Sequence, residues 1–427
     1  MTSCVINPSL SIGKSRLYFY LPLIYLLFPS FPAILPELVG FQVIFALECM
    51  TVIALYGDLY RPVVERNTRV VVGYFIFATI LSLICDTGRG VVVAADFFEL
   101  TKPVAFLLFF WLYRYSLVDI ELIEKQTIRA LWVVFLLLSL WSVLSFIFPS
   151  QFYPLEILLY KRESMAVHRG KAIGSFSQTY HFAFCLLLPL ALSLIAFVRE
   201  FRVKYLVGFL LVLLAMLLTQ SRSMYICTAV CVVVCMFLPV HYKNLRSGSR
   251  SLLLLLSLGA GIGCVVLYYF DDIAVQLKYA VEGFMSMADG QNNSVNIRQS
   301  QVEWAIENNP FVVLGAGIGK GEMMLESFYS LYYYRYGLCG VVLSLLLTLR
   351  TAWAAYVVAS KEYYNHRKLS YFYFSLSVFY ALTPLATLSS CHMDSPKISL
   401  IFYGLMGLVY AKYAQMKSQA IKCETWH

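Results

Sequence analysis

Charge is what this 427-residue chain has least of: 13% of its residues are Asp, Glu, Lys or Arg, while 60% are apolar. An ordinary soluble domain is roughly one-quarter charged, so a soluble fold is excluded and a membrane protein is indicated. No small-residue cleavage site follows the first apolar run after Lys14 and Arg16, which reads as a retained first helix. A disulfide framework is also missing, because most of the eleven cysteines sit inside apolar runs and only Cys391 falls clearly in a loop. Cys227, Cys231 and Cys235 share a helix face at four-residue spacing, but no His or carboxylate stands beside them, and packing explains them better than a metal. The net charge of +9 matches the Lys/Arg excess of cytoplasmic loops better than nucleic-acid binding.

What the chain has is long apolar runs. Twelve can cross a hydrocarbon core of about 30 Å: 17–36, 38–57, 70–87, 97–115, 129–149, 180–198, 205–220, 223–240, 251–270, 327–350, 369–389 and 398–414. Placing both termini in the cytoplasm puts 21 of the 33 lysines and arginines on that side, among them Arg199, Arg202, Lys204, Arg350, Arg367, Lys368 and Lys412. The fold class expected is all-α, a single integral membrane domain over 1–427 with about twelve spans and two long periplasmic loops, near 150–179 and 271–326. The link between the sixth and seventh spans is short and no internal repeat is visible, unlike a transporter built from two six-helix halves. That asymmetry favours an enzyme working at the outer face.

The second long loop is the most informative stretch. Residues 273–288 and 295–309 carry helix-period apolar stripes, the second through Val302 and Ile306, and Asn309-Pro310 stops it. From Ile297 to Gly337 the chain holds Arg298, Glu303, Glu307, Lys320, Glu322, Glu326 and Arg335, so solvent or an ionic ligand is expected there. Its GAGIGKG run lacks the spacing of a phosphate-binding P-loop and reads as a flexible connector. Arg222 stands between two strongly apolar helices, where a charge is functional by default unless it snorkels to headgroups.

Four pieces of sequence taken together, Leu218-Thr-Gln-Ser-Arg-Ser-Met224, RGKAIGSFSQTY at 169–180, the 297–337 block and Arg89 in a DTGRG turn, resemble the Wzy-type O-antigen polymerase and O-antigen ligase superfamily. The resemblance implies a GT-C-like, inverting, metal-independent glycosyltransferase without cofactor, acting on undecaprenyl-diphosphate-linked oligosaccharide at the periplasmic face of the bacterial inner membrane. A diphosphate leaving group needs fixed positive charge, and arginine offers a planar fork of donors for it. Arg169, Arg222, Arg298 and Arg89 are the candidates for that role. Family ligases carry a histidine where this chain has Glu326-Ser327, which favours a polymerase. Glu326, desolvated at a helix start, is the candidate base and His168 the alternative; His181 and His392 read as membrane-edge or loop residues. Tyr329 and Tyr333 are candidates for stacking on sugars, although an interfacial aromatic belt explains them equally. An Arg-x10-Gly pair associated with some polymerases is absent from both loops. The rival readings are a ligase to lipid A-core and a flippase for lipid-linked sugars. Membrane lipid and a chain-length regulator protein are the further candidate partners, and nucleic acid is not.

Overall fold

The computed structural model describes residues 16–28, 66–88, 90–92, 96, 98–114, 119–160, 171–176, 178–237, 293–319 and 323–424. They form helices, and no strand occurs among them. In chain order the helices are α1 (Leu17–Leu27), α2 (Arg66–Gly88), α3 (Phe98–Arg114), α4 (Ile120–Ile147), α5 (Pro149–Tyr160) and α6 (Thr179–Glu200). Then follow α7 (Val203–Leu218), α8 (Arg222–Phe237), α9 (Asn293–Glu307), α10 (Phe328–Asn365), α11 (Arg367–Ala386) and α12 (Pro396–Glu424), with a 3-10 turn at His392–Asp394. Among the described residues, five stretches are long and apolar enough to cross a membrane: Val70–Gly88, Ile120–Ile147, Thr179–Glu200, Phe328–Tyr363 and Arg367–Ala386. The protein is therefore a helical membrane protein. The expected spans 38–57 and 251–270, and the expected amphipathic helix at 273–288, lie outside the described residues.

Helix α6 is the axis. Every residue from Phe182 to Val198 is buried, as an all-round apolar helix must be when its neighbours shield it from lipid. It packs against α4, α7, α8 and α11; α11 pairs in turn with α10, and α12 with α3. On α8 the three cysteines at four-residue spacing are fully buried, and Cys231 and Cys235 sulfurs lie 4.0 Å apart.

Helix α10 departs from the expected span. It runs past Arg350 to Asn365, because TAWAAYVVAS continues the apolar surface, and it breaks at Gly337, whose φ of 65° and ψ of −169° are not helical. The break is mended from outside: Leu338 and Cys339 N–H groups donate to the Val312 and Val313 carbonyls at 2.8 and 3.3 Å. The Tyr74 hydroxyl donates to the Tyr336 carbonyl.

Helix direction defines two ends. The starts of α6, α8, α10 and α12 and the end of α11 share one end with α9; the ends of α6 and α10 and the starts of α4, α7 and α11 share the other. At this far end Lys412, assigned from the sequence to the cytoplasmic surface charges, is only 4% exposed. Its ammonium lies 3.2 Å from Glu362 Oε1 and 3.6 Å from Glu124 Oε2, and the Tyr373 hydroxyl donates to Glu124. A lysine near the end of an apolar run reads as snorkelling; here two carboxylates from other helices hold it inside.

Candidate functional site

The four sequence pieces meet in pairs at the α10-start end. The Ala172 N–H of the KAIGSF run donates to the Leu218 carbonyl at 2.9 Å, so that run lies on the turn that leads into Arg222. Gly174 sits at φ +55° with Phe182 ring atoms about 3.0 Å from where a Cβ would be, which requires glycine. Ser175 is held by Lys397, whose ammonium donates to the Ser175 carbonyl and hydroxyl, each at 2.6 Å, and lies 4.6 Å from the Phe176 ring centroid.

The other pair is the DTGRG turn with the glycine loop. Asp86 is buried, and its carboxylate accepts the Gly319 N–H at 2.9 Å; a Cβ on Gly317 would lie 2.2 Å from the same carboxylate. A carboxyl side chain thus already fills the cradle, so the described part of the loop, 315–319, leaves no room for a phosphate. Nor is the described part of it a flexible connector: Ala316 N–H donates to the Tyr334 carbonyl at 2.6 Å, and Gly315 lies directly on the Arg335 carbonyl.

Helix α9 forms over 293–307 and stops before Asn309-Pro310 as expected, but it turns the other face inward. Val302 and Ile306 are exposed, while Gln301 and Ala305 are buried. Polar partners decide this face. Gln301 donates to the Met324 carbonyl at 2.8 Å and accepts from the Glu326 N–H at 3.2 Å, and Trp304 packs on Tyr334 with ring centroids 5.0 Å apart. Arg298, on the same face, donates from Nε to the Ser389 carbonyl at 3.0 Å and faces Glu326 Oε2 at 3.7 Å.

Arg222 begins α8 partly buried, close enough to Arg298 that the two guanidinium charges act on each other. Two cations from segments about 75 residues apart in sequence, with Glu326 beside Arg298, make an anion-receptive corner. Glu326 differs from its expectation: it is 37% exposed at the side chain and paired with Arg298, and Ser327, not Glu326, caps α10 by accepting the Ser330 N–H at 3.1 Å. Tyr329 gives its hydroxyl to the Pro384 carbonyl at 2.9 Å, a packing role; Tyr333 is half-buried beside it. His168, Arg169 and Arg89 lie outside the described residues.

No protein-family model and no curated protein sequence matches the chain. The corner therefore has to be read from its own chemistry.

Sequence reasoning missed the segment that organises this end, residues 387–395. Its Thr387 carbonyl accepts the Phe328 N–H, its Ser389 carbonyl holds Arg298, and its Cys391 N–H donates to the Glu326 carbonyl at 2.8 Å. His392, expected at a membrane edge or in a loop, is fully buried, stacked on Phe184 at 4.6 Å and edge-on to His181 at 5.4 Å. Burial, and next the neighbouring His181, hold the His392 imidazole well below its usual range, so it stays neutral at neutral pH. Asp394 accepts from the Tyr332 hydroxyl at 2.7 Å and faces Lys102 at 3.5 Å. Burial pushes the neighbouring Cys391 thiol up, which leaves it protonated and a poor nucleophile. The signal that could have found this segment is charge in apolar surroundings: Lys102, Asp394 and Lys397 all sit within or beside apolar runs.

Proposed function

We propose that the protein is a glycosyltransferase that polymerises lipid-linked surface-polysaccharide repeat units, of the Wzy-type polymerase kind that the sequence resembles. The observation that carries the reading is the Arg222–Arg298 corner with Glu326 beside it. Fixed guanidinium charge is what a departing lipid diphosphate requires, and it is most effective where it is already positioned.

In the reaction the bond between the glycan's anomeric carbon and the diphosphate oxygen breaks. The acceptor sugar's hydroxyl oxygen forms the new bond from the opposite face, giving inversion, and undecaprenyl diphosphate leaves with the electron pair. Arg222 and Arg298 hold the negative charge that develops on the leaving group. Glu326 takes the hydroxyl proton; its partial exposure leaves it open to the acceptor, while its contact with Arg298 holds it beside the diphosphate. The GT-C-like architecture and the periplasmic placement of the corner belong to the same proposal.

Deletion of the gene tests the reading against its rivals. A polymerase deletion leaves lipid A-core capped with a single repeat. A deletion that leaves long chains on undecaprenyl diphosphate identifies a ligase, and one that leaves no lipid-linked sugar at the outer face identifies a flippase; either overturns the proposal. Purified protein given undecaprenyl-diphosphate repeat units should lengthen them without another protein.

A further inference from the structure

The far end of the bundle carries a second charged feature, independent of the polymerase reading. The α6–α7 turn and the α10–α11 turn enclose an open cavity of about 640 Å³ lined by Arg199, Glu200, Arg202, His366, Arg367 and Lys368. Four permanent cations face one carboxylate there, and that carboxylate is engaged by Arg202 Nε at 3.1 Å. Arg199 is fixed in the wall, its guanidinium 5.0 Å from the Tyr363 ring centroid and 3.3 Å from the Tyr363 hydroxyl. Arg202, Arg367 and Lys368 are exposed.

Two helices begin at the rim, and both begin unfavourably. Helix α7 has Arg202 as its N-cap and α11 has His366; neither side chain caps, and neither helix has an acidic residue in its first turn. Ser, Thr, Asp or Asn is the usual cap, and acidic residues the usual first-turn complement to the positive end of the helix dipole. Here cations stand at two such ends in one concavity. Retention of positive loops at a membrane surface accounts for the number of charges. It does not account for a bowl formed around two uncapped helix starts, which an anion would complete.

We propose that this bowl is a binding site for a phosphate-bearing anion, either the headgroup of an anionic phospholipid or a soluble phosphate compound. The net positive lining and the first-turn N–H groups of α11 supply charge-assisted donors, and Arg199 supplies a preoriented fork. The residues involved take no part in the Arg222–Arg298 corner, so failure here leaves the catalytic reading untouched, and failure there leaves this one.

The test uses the full chain in phosphatidylcholine nanodiscs. One arm replaces part of the lipid by phosphatidylglycerol and counts retained anionic lipid by native mass spectrometry; the other adds inorganic pyrophosphate and reads thermal stability. The double variant Arg202→Gln/Arg367→Gln removes two exposed charges from the bowl, and Lys125→Gln/Lys417→Gln removes two exposed charges elsewhere at the same end. The expected result is that wild type and the Lys125/Lys417 variant bind at least one of the two probes, with about tenfold or more weaker binding in the bowl variant. Retention of phosphatidylglycerol alone identifies a lipid site, and stabilisation by pyrophosphate alone identifies a soluble ligand. Binding of neither probe, equal binding by the bowl variant, or equal loss in the Lys125/Lys417 variant overturns the proposal. A bowl variant that fails to fold is replaced by Lys368→Gln, read against the same control.

Discussion

Replacing Lys412 by methionine isolates the buried ion cluster at the far end. The substitution keeps an unbranched apolar stem but removes the ammonium that lies 3.2 Å from Glu362 and 3.6 Å from Glu124. Those two carboxylates are 7% and 0% exposed, so in the variant they face each other with no cation between them and little access to water. Removing one partner of a buried ion pair typically costs about 3–5 kcal/mol, and here one cation serves two carboxylates, which places the expectation in the upper part of that range. At 1.4 kcal/mol per decade, the folded-to-unfolded ratio should fall by roughly three orders of magnitude or slightly more. The assay is reversible unfolding in mixed micelles at neutral pH, followed by tryptophan fluorescence, with membrane abundance as a second readout. The neutral triple variant Glu124→Gln/Glu362→Gln/Lys412→Met should recover most of the loss, because no uncompensated charge is left and the Tyr373 hydroxyl keeps an oxygen to donate to. A single variant as stable as wild type, or a triple variant as weak as the single, would refute the reasoning: it would mean that water reaches these carboxylates and screens them.

Arg298→Lys and Arg222→Lys keep the charge and lose the fork. Each should lower polymerisation turnover about tenfold to a hundredfold at unchanged protein abundance, as a charge-assisted contact of about 1.5–3 kcal/mol implies, whereas a structural role would lower abundance and leave turnover per molecule intact. Gly337→Ala places a methyl 2.3 Å from the Val313 main chain at a φ of 65°, so it should detach the 311–319 loop and reduce folded protein, measured as the monodisperse fraction after extraction. Glu156, on α5 outside the membrane spans, has its carboxyl raised by burial. Its folded-state value lies above its unfolded one, so the stability it contributes is present at acid pH and lost as pH rises through the raised value. Glu156→Gln should therefore stabilise the protein at pH near 7.5 and not near 4, checked by melting curves at both.

Element type was legible because it depends on local pattern. Spans at 129–149, 180–198 and 369–389 became α4, α6 and α11 with shifted edges, and Asn309-Pro310 stopped α9 after Glu307. Arg222 and Arg298 were legible as charges in an apolar chain. Their proximity was not, since it depends on how α8 and α9 pack. The orientation of α9 shows the limit most clearly. Periodicity found its apolar stripe, but Gln301 and Arg298 had partners waiting on Met324, Glu326 and Ser389, up to 91 residues away, and those contacts turned the polar stripe inward. The same blindness to distant partners placed Lys412 at the surface and passed over residues 387–395, whose individual residue types look like an ordinary turn.

The break at Gly337 has a mechanical consequence. The lower part of α10, from Leu338 to Asn365, is a stiff rod of about 42 Å at 1.5 Å per residue. Its upper tip is stitched by main-chain hydrogen bonds to the 311–319 loop, which follows directly on the helix bearing Arg298, and its lower tip carries Glu362 into the Lys412 cluster. Main-chain stitches at one tip and an ion pair at the other leave little slack, so a tug on the loop is delivered as tilt or sliding of the rod. The loop that follows the Arg298 helix and the Lys412 cluster are thus anchored to opposite tips of one continuous helix.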